Sequence, residues 1–332
     1  MYRNLVRATL LLAFIVVVVG AYVRLEDAGL GCPDWPGCYG RLLGVPDTHE
    51  ELAHAAQAFP GKPPDPGRAR KEMLHRYLAG TLGLLILGIA VSAWRVRSRS
   101  RHSPALPVAL VALVAFQATL GMWTVTLLLK PAIVTLHLLG GMATLAALTW
   151  LVLREQAYSP PAAETRRLRP WAAAALAVLA GQIALGGWVS SNYAALACVD
   201  LPTCNGAWLP EMDFHSAFHA VRELGMTAAG APLPQEALTA IHWTHRAGAL
   251  VTAFVLGALA VALLRTAGAR MAGVLLLVVL AAQVGLGIAN VAARLPLVLA
   301  VAHNAGAAVL LATVVMINFM TFQGPSAGNG KP

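Results

Sequence analysis

The chain has 332 residues, 58% of them hydrophobic and only 12% charged, whereas a soluble domain carries about 25% charged residues. A soluble globular protein is therefore excluded. The net charge of +9 does not point to nucleic acid, because no basic stretch is interleaved with exposed aromatics. Arg and Lys instead collect in the inner loops of membrane proteins.

A membrane span needs about 20 mostly apolar residues. In chain order, the stretches 5–24, 73–94, 107–129, 132–153, 171–191, 241–264, 271–291 and 297–319 qualify. The first follows Arg3 and Arg7 and could pass for a signal peptide, but it lacks a convincing small-residue cleavage site and has a matching copy later. It reads as a retained helix. Lys130-Pro131 and Arg294-Leu295-Pro296 read as tight turns between neighbouring spans. The predicted fold is an all-α integral membrane protein with eight transmembrane helices.

Charge sets the expected orientation. With the N-terminus inside, the inner segments hold Arg3, Arg7, Arg95, Arg97, Arg99, Arg101, Arg154, Arg166, Arg167, Arg169, Arg265, Arg270 and Lys331. Only Glu155 and Glu164 oppose them there. The positive-inside bias puts both termini in the cytoplasm, or the matrix of an organelle, and the long loops 25–72 and 192–240 outside.

Self-similarity is the most informative pattern. Gly20-Ala-Tyr-Val-Arg through Cys32-Pro-Asp-Trp-Pro-Gly-Cys38-Tyr-Gly40 aligns with Gly186-Gly-Trp-Val-Ser through Cys198-Val-Asp-Leu-Pro-Thr-Cys204-Asn-Gly206 at an offset of 166 residues. At the same offset Gln117-x-x-Leu-Gly121 aligns with Gln283-x-x-Leu-Gly287, and His137 with His303. His75-Arg76 recurs as His245-Arg246, shifted by four residues. The chain thus divides into halves at 1–155 and 156–332, two tandem pseudo-symmetric four-helix bundles in parallel orientation.

Four histidines fall within spans, near the outer face. His75 and His245 are expected to open the second helix of their halves, and His137 and His303 to lie about one turn inside the fourth. Ionisable groups in spans are costly and usually functional. A single such His could be hydrogen-bonded to a neighbouring helix, but two pairs at equivalent positions point to ligands. Imidazoles from facing helices hold haem iron inside bundles. Gly80, Gly83, Gly140, Gly141, Gly248 and Gly306 would let helices and a flat macrocycle approach, or serve plain helix packing.

The halves differ three residues before the second-helix histidine, where Glu72 faces His242 across the alignment. An i, i+3 spacing puts each pair on one helical face. A carboxylate there could handle protons, or be an interfacial group paired with Arg76 or Lys71. Arg76 and Arg246 could meet haem propionates or act as interfacial anchors. The asymmetry suggests chemistry in one half and electron transfer in the other.

Cys32/Cys38 and Cys198/Cys204 are two C-x5-C pairs in outer loops. Disulfides are the bland reading; a redox role or a partner contact is the sharper one. No zinc site is expected, since no His follows at finger-like spacing. His49-Glu50-Glu51-Leu52-Ala53-His54 has one residue too many for HExxH. His215 and His219 are expected on an amphipathic interfacial helix with Phe214 and Phe218, with metal binding the lesser alternative.

These residues together resemble the haem A synthase family of respiratory membranes, over essentially the whole chain. The resemblance rests on Gly29-Leu-Gly-Cys-Pro-Asp-Trp-Pro-x-Cys38, Glu72-Met-Leu-His75-Arg76, Thr135-Leu-His137, Cys198-x5-Cys204, His242-Trp-Thr-His245-Arg246 and His303-Asn304. It implies oxidation of a ring methyl of haem O to the formyl of haem A, for cytochrome oxidase assembly. It also implies haem b on His245 and His303, haem O between His75 and His137, and a catalytic Glu72. Electrons would pass from the haem b half to the substrate half, with Glu72 managing protons through two rounds of hydroxylation. If both His75 and His137 ligate the substrate haem, one must leave before oxygen can bind its iron. The expected setting is a bacterial inner membrane. The expected partners are lipid, an electron donor of unknown identity, haem O synthase, oxidase assembly factors and a second copy of the chain. The competing classes are a non-catalytic dihaem b-type electron-transfer cytochrome, which leaves Glu72 unused, and a transporter, for which midplane charge and broken helices would be expected.

Overall fold

The computed structural model describes residues 2–95, 97, 103–156 and 163–322. Arg99, Arg101 and Lys331, counted among the inner charges, lie outside the described residues. The long helices are α1 (Tyr2–Leu25), α3 (Pro66–Arg95), α4 (Ala105–Thr126), α5 (Pro131–Arg154), α7 (Arg169–Ser191), α9 (Gln235–Arg265), α10 (Arg270–Ala292) and α11 (Leu297–Phe322). All eight are long and apolar enough to cross a membrane. Short helices α2 (His49–Ala58), α6 (Ala163–Arg166) and α8 (Phe214–Ala217) fill connections. Among the described residues there is no strand, only isolated bridges.

In the first half α1 packs on α3 and α5, and α4 packs on α3 and α5. In the second, α7 packs on α9 and α11, and α10 packs on α9 and α11. The halves meet through α5 on α11, with α1 against α11 and α5 against α7. This arrangement is consistent with tandem pseudo-symmetric bundles. Left-handed backbone recurs at the repeat offset too: Asp27 with Tyr193, Tyr39 with Asn205, Leu128 with Arg294 and Leu129 with Leu295 all have φ between 51° and 61°.

Those Leu and Arg residues form the α4–α5 and α10–α11 turns. The turns exist as predicted, but the α4 helix stops at Thr126, because Leu128 and Leu129 leave the helical region. Pro131 then opens α5 at N1/N2, where its missing N–H costs nothing.

Two expectations need correction. His75 and His245 do not open their helices: α3 begins at Pro66 and α9 at Gln235, because both helices run on past the apolar stretch into the outer loops. His215 and His219 do not share a helix, since α8 is a single turn ending at Ala217. Asp213 caps it by accepting from the Ser216 N–H, and Phe214 and Phe218 stack with ring centroids 6.4 Å apart.

The core spans both halves. Leu110, Leu148, Leu151, Leu256, Leu263, Leu276 and Leu310 are fully buried, while Leu84, Leu250, Phe254 and Met271 are exposed where lipid would lie. Lipid is as apolar as leucine, so close packing rather than water exclusion holds such helices together.

Candidate haem-binding site

Each of the four span histidines presents its imidazole edge to a glycine on the preceding long helix. A Cβ on Gly20 of α1 would stand 2.8 Å from Cε1 of His75, and one on Gly121 of α4 would stand 3.3 Å from that of His137. In the second half the corresponding distances are 3.2 Å from Gly186 to His245 and 3.2 Å from Gly287 to His303. Carbon atoms pack best at about 3.5–4.0 Å, so only a residue without a side chain lets these rings sit where they do. All four glycines recur at the repeat offset.

His75 and His137 stand on α3 and α5, which both pack on α1 and α4, and His245 and His303 stand on α9 and α11, which both pack on α7 and α10. Each predicted pair thus comes from the second and fourth long helices of its half, around the same two neighbours. Nδ1 of His75 and of His137 is buried with no partner among the described residues. In the second half Gln182 Nε2 lies 3.0 Å from Nδ1 of His245, and Gln283 Nε2 lies 3.4 Å from Nδ1 of His303.

The anticipated glycines behave differently from one another. Gly140, Gly248 and Gly306 each carry a glutamine amide: a Cβ there would lie 1.6 Å from Gln117, 2.4 Å from Gln182 and 2.2 Å from Gln283. Gly83 and Gly141 meet Val114 and Val17 at ordinary distance, and Gly80 faces no atom within 4 Å.

Outside the pairs, both loops fold in the same way onto the helix below. Cys32 is bonded to Cys38 and Cys198 to Cys204. Asp34 accepts from the N–H groups of Tyr39 (2.6 Å) and Gly40 (2.8 Å). Asp200 accepts from those of Asn205 (2.5 Å) and Gly206 (3.0 Å) and from the Thr203 hydroxyl. These donors hold the Asp200 carboxyl down at about 2.

Glu72 and His242 occupy the same place in this construction. The Cys32 N–H donates to Glu72 Oε2 (2.9 Å), and Arg76 donates to Oε1. The Cys198 N–H donates to His242 Nδ1 (3.2 Å), and Arg246 Nε lies 3.2 Å from His242 Nε2. A carboxylate accepts at both oxygens, whereas a neutral imidazole accepts at one nitrogen only. Glu72 thus satisfies both donors and His242 one. Glu72 is 5% exposed and His242 4%, which makes both integral to the loop–helix junction.

Arg76 and Arg246 both reach into the loops. Arg76 Nη1 donates to the carbonyls of Asp34 (3.0 Å) and Gly37 (2.5 Å). Arg246 donates to those of Asp200 (2.8 Å), Thr203 (2.9 Å) and Cys198 (2.8 Å). Lys71 pairs with Glu26, not with Glu72. Gly31 makes this possible in the first loop, since a Cβ there would stand 2.6 Å from the backbone of Arg68.

The halves are also tied at the outer ends of α1 and α7. Arg24 donates to the Tyr193 hydroxyl (2.7 Å) and the Ser190 carbonyl (2.9 Å), and Tyr193 donates to Asp27 (2.9 Å). In the second loop, buried Arg222 donates to Asn192 Oδ1 at 2.5 Å.

The glycine cradles and the Gln182 contact emerge only in the fold, although one signal for them is in the sequence: Gln182-Ile-Ala-Leu-Gly186 is a third copy of the Q-x-x-L-G pattern at Gln117 and Gln283.

The chain matches the cytochrome oxidase assembly protein family over residues 3–315. It is 45% identical to a heme A synthase of Shewanella oneidensis over 326 residues, covering 97% of each chain. It is 31% identical to one from Sphingopyxis alaskensis, covering 92% of this chain and 87% of the relative. A heme A synthase of Caulobacter sp. is 29% identical, covering 91% of this chain and 90% of its own. The chain belongs to the cytochrome oxidase assembly protein family, among relatives that are heme A synthases.

Proposed function

We propose that this protein is a haem A synthase, oxidising a ring methyl of haem O to a formyl group for cytochrome oxidase assembly. The substrate haem binds in the N-terminal half (1–155) between His75 and His137. A resident haem b binds in the C-terminal half (156–332) between His245 and His303. The observation that carries this division is the Glu72/His242 exchange at otherwise matched positions beside matched histidine pairs.

The residues fit such groups. Paired imidazoles supply the nitrogen donors haem iron takes in helical bundles, the first pair has buried Nδ1 atoms without partners among the described residues, and glycines make room for each ring. Haem b, when bound, supplies a one-electron relay. The chain's own residues do the rest. Glycines 20 and 121 set the ring positions of His75 and His137. Glu72 stands one helical turn before His75, a carboxylate able to exchange protons as the methyl group is oxidised. Arg76 and the Cys32–Cys38 loop hold that carboxylate in place. The two long loops face the periplasm and both termini the cytoplasm, in a bacterial inner membrane.

The test is conversion in cells that make haem O. Extracted haems are separated by chromatography and identified by mass for wild type and Glu72→Gln. Gln keeps an acceptor for the Cys32 N–H but exchanges no proton. Wild type should accumulate haem A, and the variant should hold both haems and make about 10²–10⁴-fold less. Unchanged conversion would remove Glu72 from the chemistry. No haem A from wild type would favour a non-catalytic dihaem cytochrome.

A further inference from the structure

Three of the four histidine positions share a second feature beyond the cradle. A glutamine sits four residues before each cradling glycine: Gln117 before Gly121, Gln182 before Gly186 and Gln283 before Gly287. Its amide lies on the glycine three residues after the histidine, at Gly140, Gly248 and Gly306 respectively. The fourth position departs from this. Four residues before Gly20 stands Val16, and three residues after His75 stands Leu78. Val16 belongs to the apolar core and Leu78 packs against it.

The amides do not all make the same contacts. Gln182 Nε2 donates to the His245 carbonyl at 3.0 Å and lies 3.0 Å from the ring Nδ1. Gln283 Nε2 donates to the His303 carbonyl at 3.0 Å. Gln117 Nε2 has no partner among the described residues. Buried Oε1 atoms of Gln182 and Gln283 are also without partners there, so turning either amide would give a protonated Nδ1 an acceptor in exchange for the bond to the histidine carbonyl. A metal-bound histidine is held in orientation, and made a better donor, by a hydrogen bond at its other nitrogen.

We propose that Gln182 and Gln283 are positioning residues that lock His245 and His303 as permanent ligands, and that His75, with Val16 and Leu78 where the amide and glycine would be, is the exchangeable one. This rests on the haem A synthase reading and deepens it. The ligand that would yield then stands on α3, the helix that also carries Glu72. The expected difficulty, that His75 and His137 would together close the substrate iron, is met by making one of them weak.

The experiment uses purified full-length protein carrying both haems, and reads ligation rather than turnover. Carbon monoxide is added to the reduced protein, and optical and spin-resonance spectra report which haem it reaches. In wild type it should bind only the haem of the N-terminal half. Gln182→Val should open the second haem, weakening the His245 ligand about 10–100-fold and producing a high-spin, carbon monoxide-binding signal. Gln182→Glu, which keeps an acceptor for Nδ1–H, should restore the low-spin form. The reverse change, Val16→Gln with Leu78→Gly, should lower carbon monoxide affinity at the first haem by a similar factor, and it decides the matter if Gln182→Val does not fold. A second haem that stays inert in Gln182→Val, or a first haem indifferent to the reverse change, overturns the proposal while leaving the two-haem reading intact. Wild-type protein with no haem would overturn that reading instead.

Discussion

Replacing Gly20 by alanine is the sharpest perturbation the structure offers. The added methyl would lie 2.8 Å from Cε1 of His75, against an optimum of about 3.5–4.0 Å. Ring or helix must yield by about 0.7 Å or more. Gly20 is on α1 and His75 on α3, which pack directly on each other, so the displacement is forced on the imidazole or on that interface. Disturbed support of a ligand typically costs about 10–100-fold in affinity, on the order of 1.4–2.8 kcal/mol. Haem O titrated optically into detergent-solubilised Gly20→Ala protein should bind weaker by that factor. Gly186→Ala, with 3.2 Å to His245, needs a shift of only a few tenths of an ångström and should weaken haem b at its own site by under about tenfold. Gly257→Ala, far along α9 from His245, meets no atom within 4 Å and should leave affinity unchanged. Wild-type affinity in Gly20→Ala, or an equal loss in Gly257→Ala, would refute the cradle argument.

Three further outcomes follow from the loops. Gly31→Ala drives a methyl to 2.6 Å from the Arg68 backbone; it should lift the first loop off α3 and raise hydrogen exchange at the Cys32 amide at least about tenfold, a change expected of one lost buried hydrogen bond. Arg246→Leu removes three donors to loop carbonyls and should make the second loop markedly more sensitive to protease while the first keeps its wild-type cleavage rate. The Asp200 carboxyl is held at about 2 by the Thr203 hydroxyl and the Gly206 and Asn205 N–H groups, below the ordinary Asp value of about 3.9. A depressed value means the stabilisation is present above the ordinary value and is lost as pH falls through the folded one. Exchange protection at Asn205 and Gly206 should therefore be lost only as pH falls below about 4 toward 2, and Asp200→Asn should abolish that dependence.

The span count, the repeat and the four histidines were legible because each is written as composition or as identity at a fixed offset. Helix ends were less so. Hydropathy marks the apolar stretch, but α3 and α9 continue into polar loop sequence, which hides that His75 and His245 lie well inside their helices. The α2 helix was also readable in principle. Thr48 and Glu51 form a capping box, a sequence signature that overlaps the His49–His54 stretch. Glu72 and His242 are matched in the sequence by their place three residues before His75 and His245, but their common partner, the N–H of the first cysteine, is some 40 residues away and shows only in the fold. Arg76 and Arg246 could not be assigned from sequence, because only the folded loop shows which carbonyls take their donors. Leu128 and Leu129 at positive φ break the usual residue preference, so nothing in the sequence announces that α4 ends before them.

The central claim is that the two histidine pairs serve different haems. Haems extracted from purified His137→Ala and His303→Ala proteins test it directly, by chromatography and mass. His137→Ala should keep haem b and lose haem O and haem A; His303→Ala should lose haem b and keep haem O. The opposite assignment, or loss of both haems from each variant alike, would contradict it.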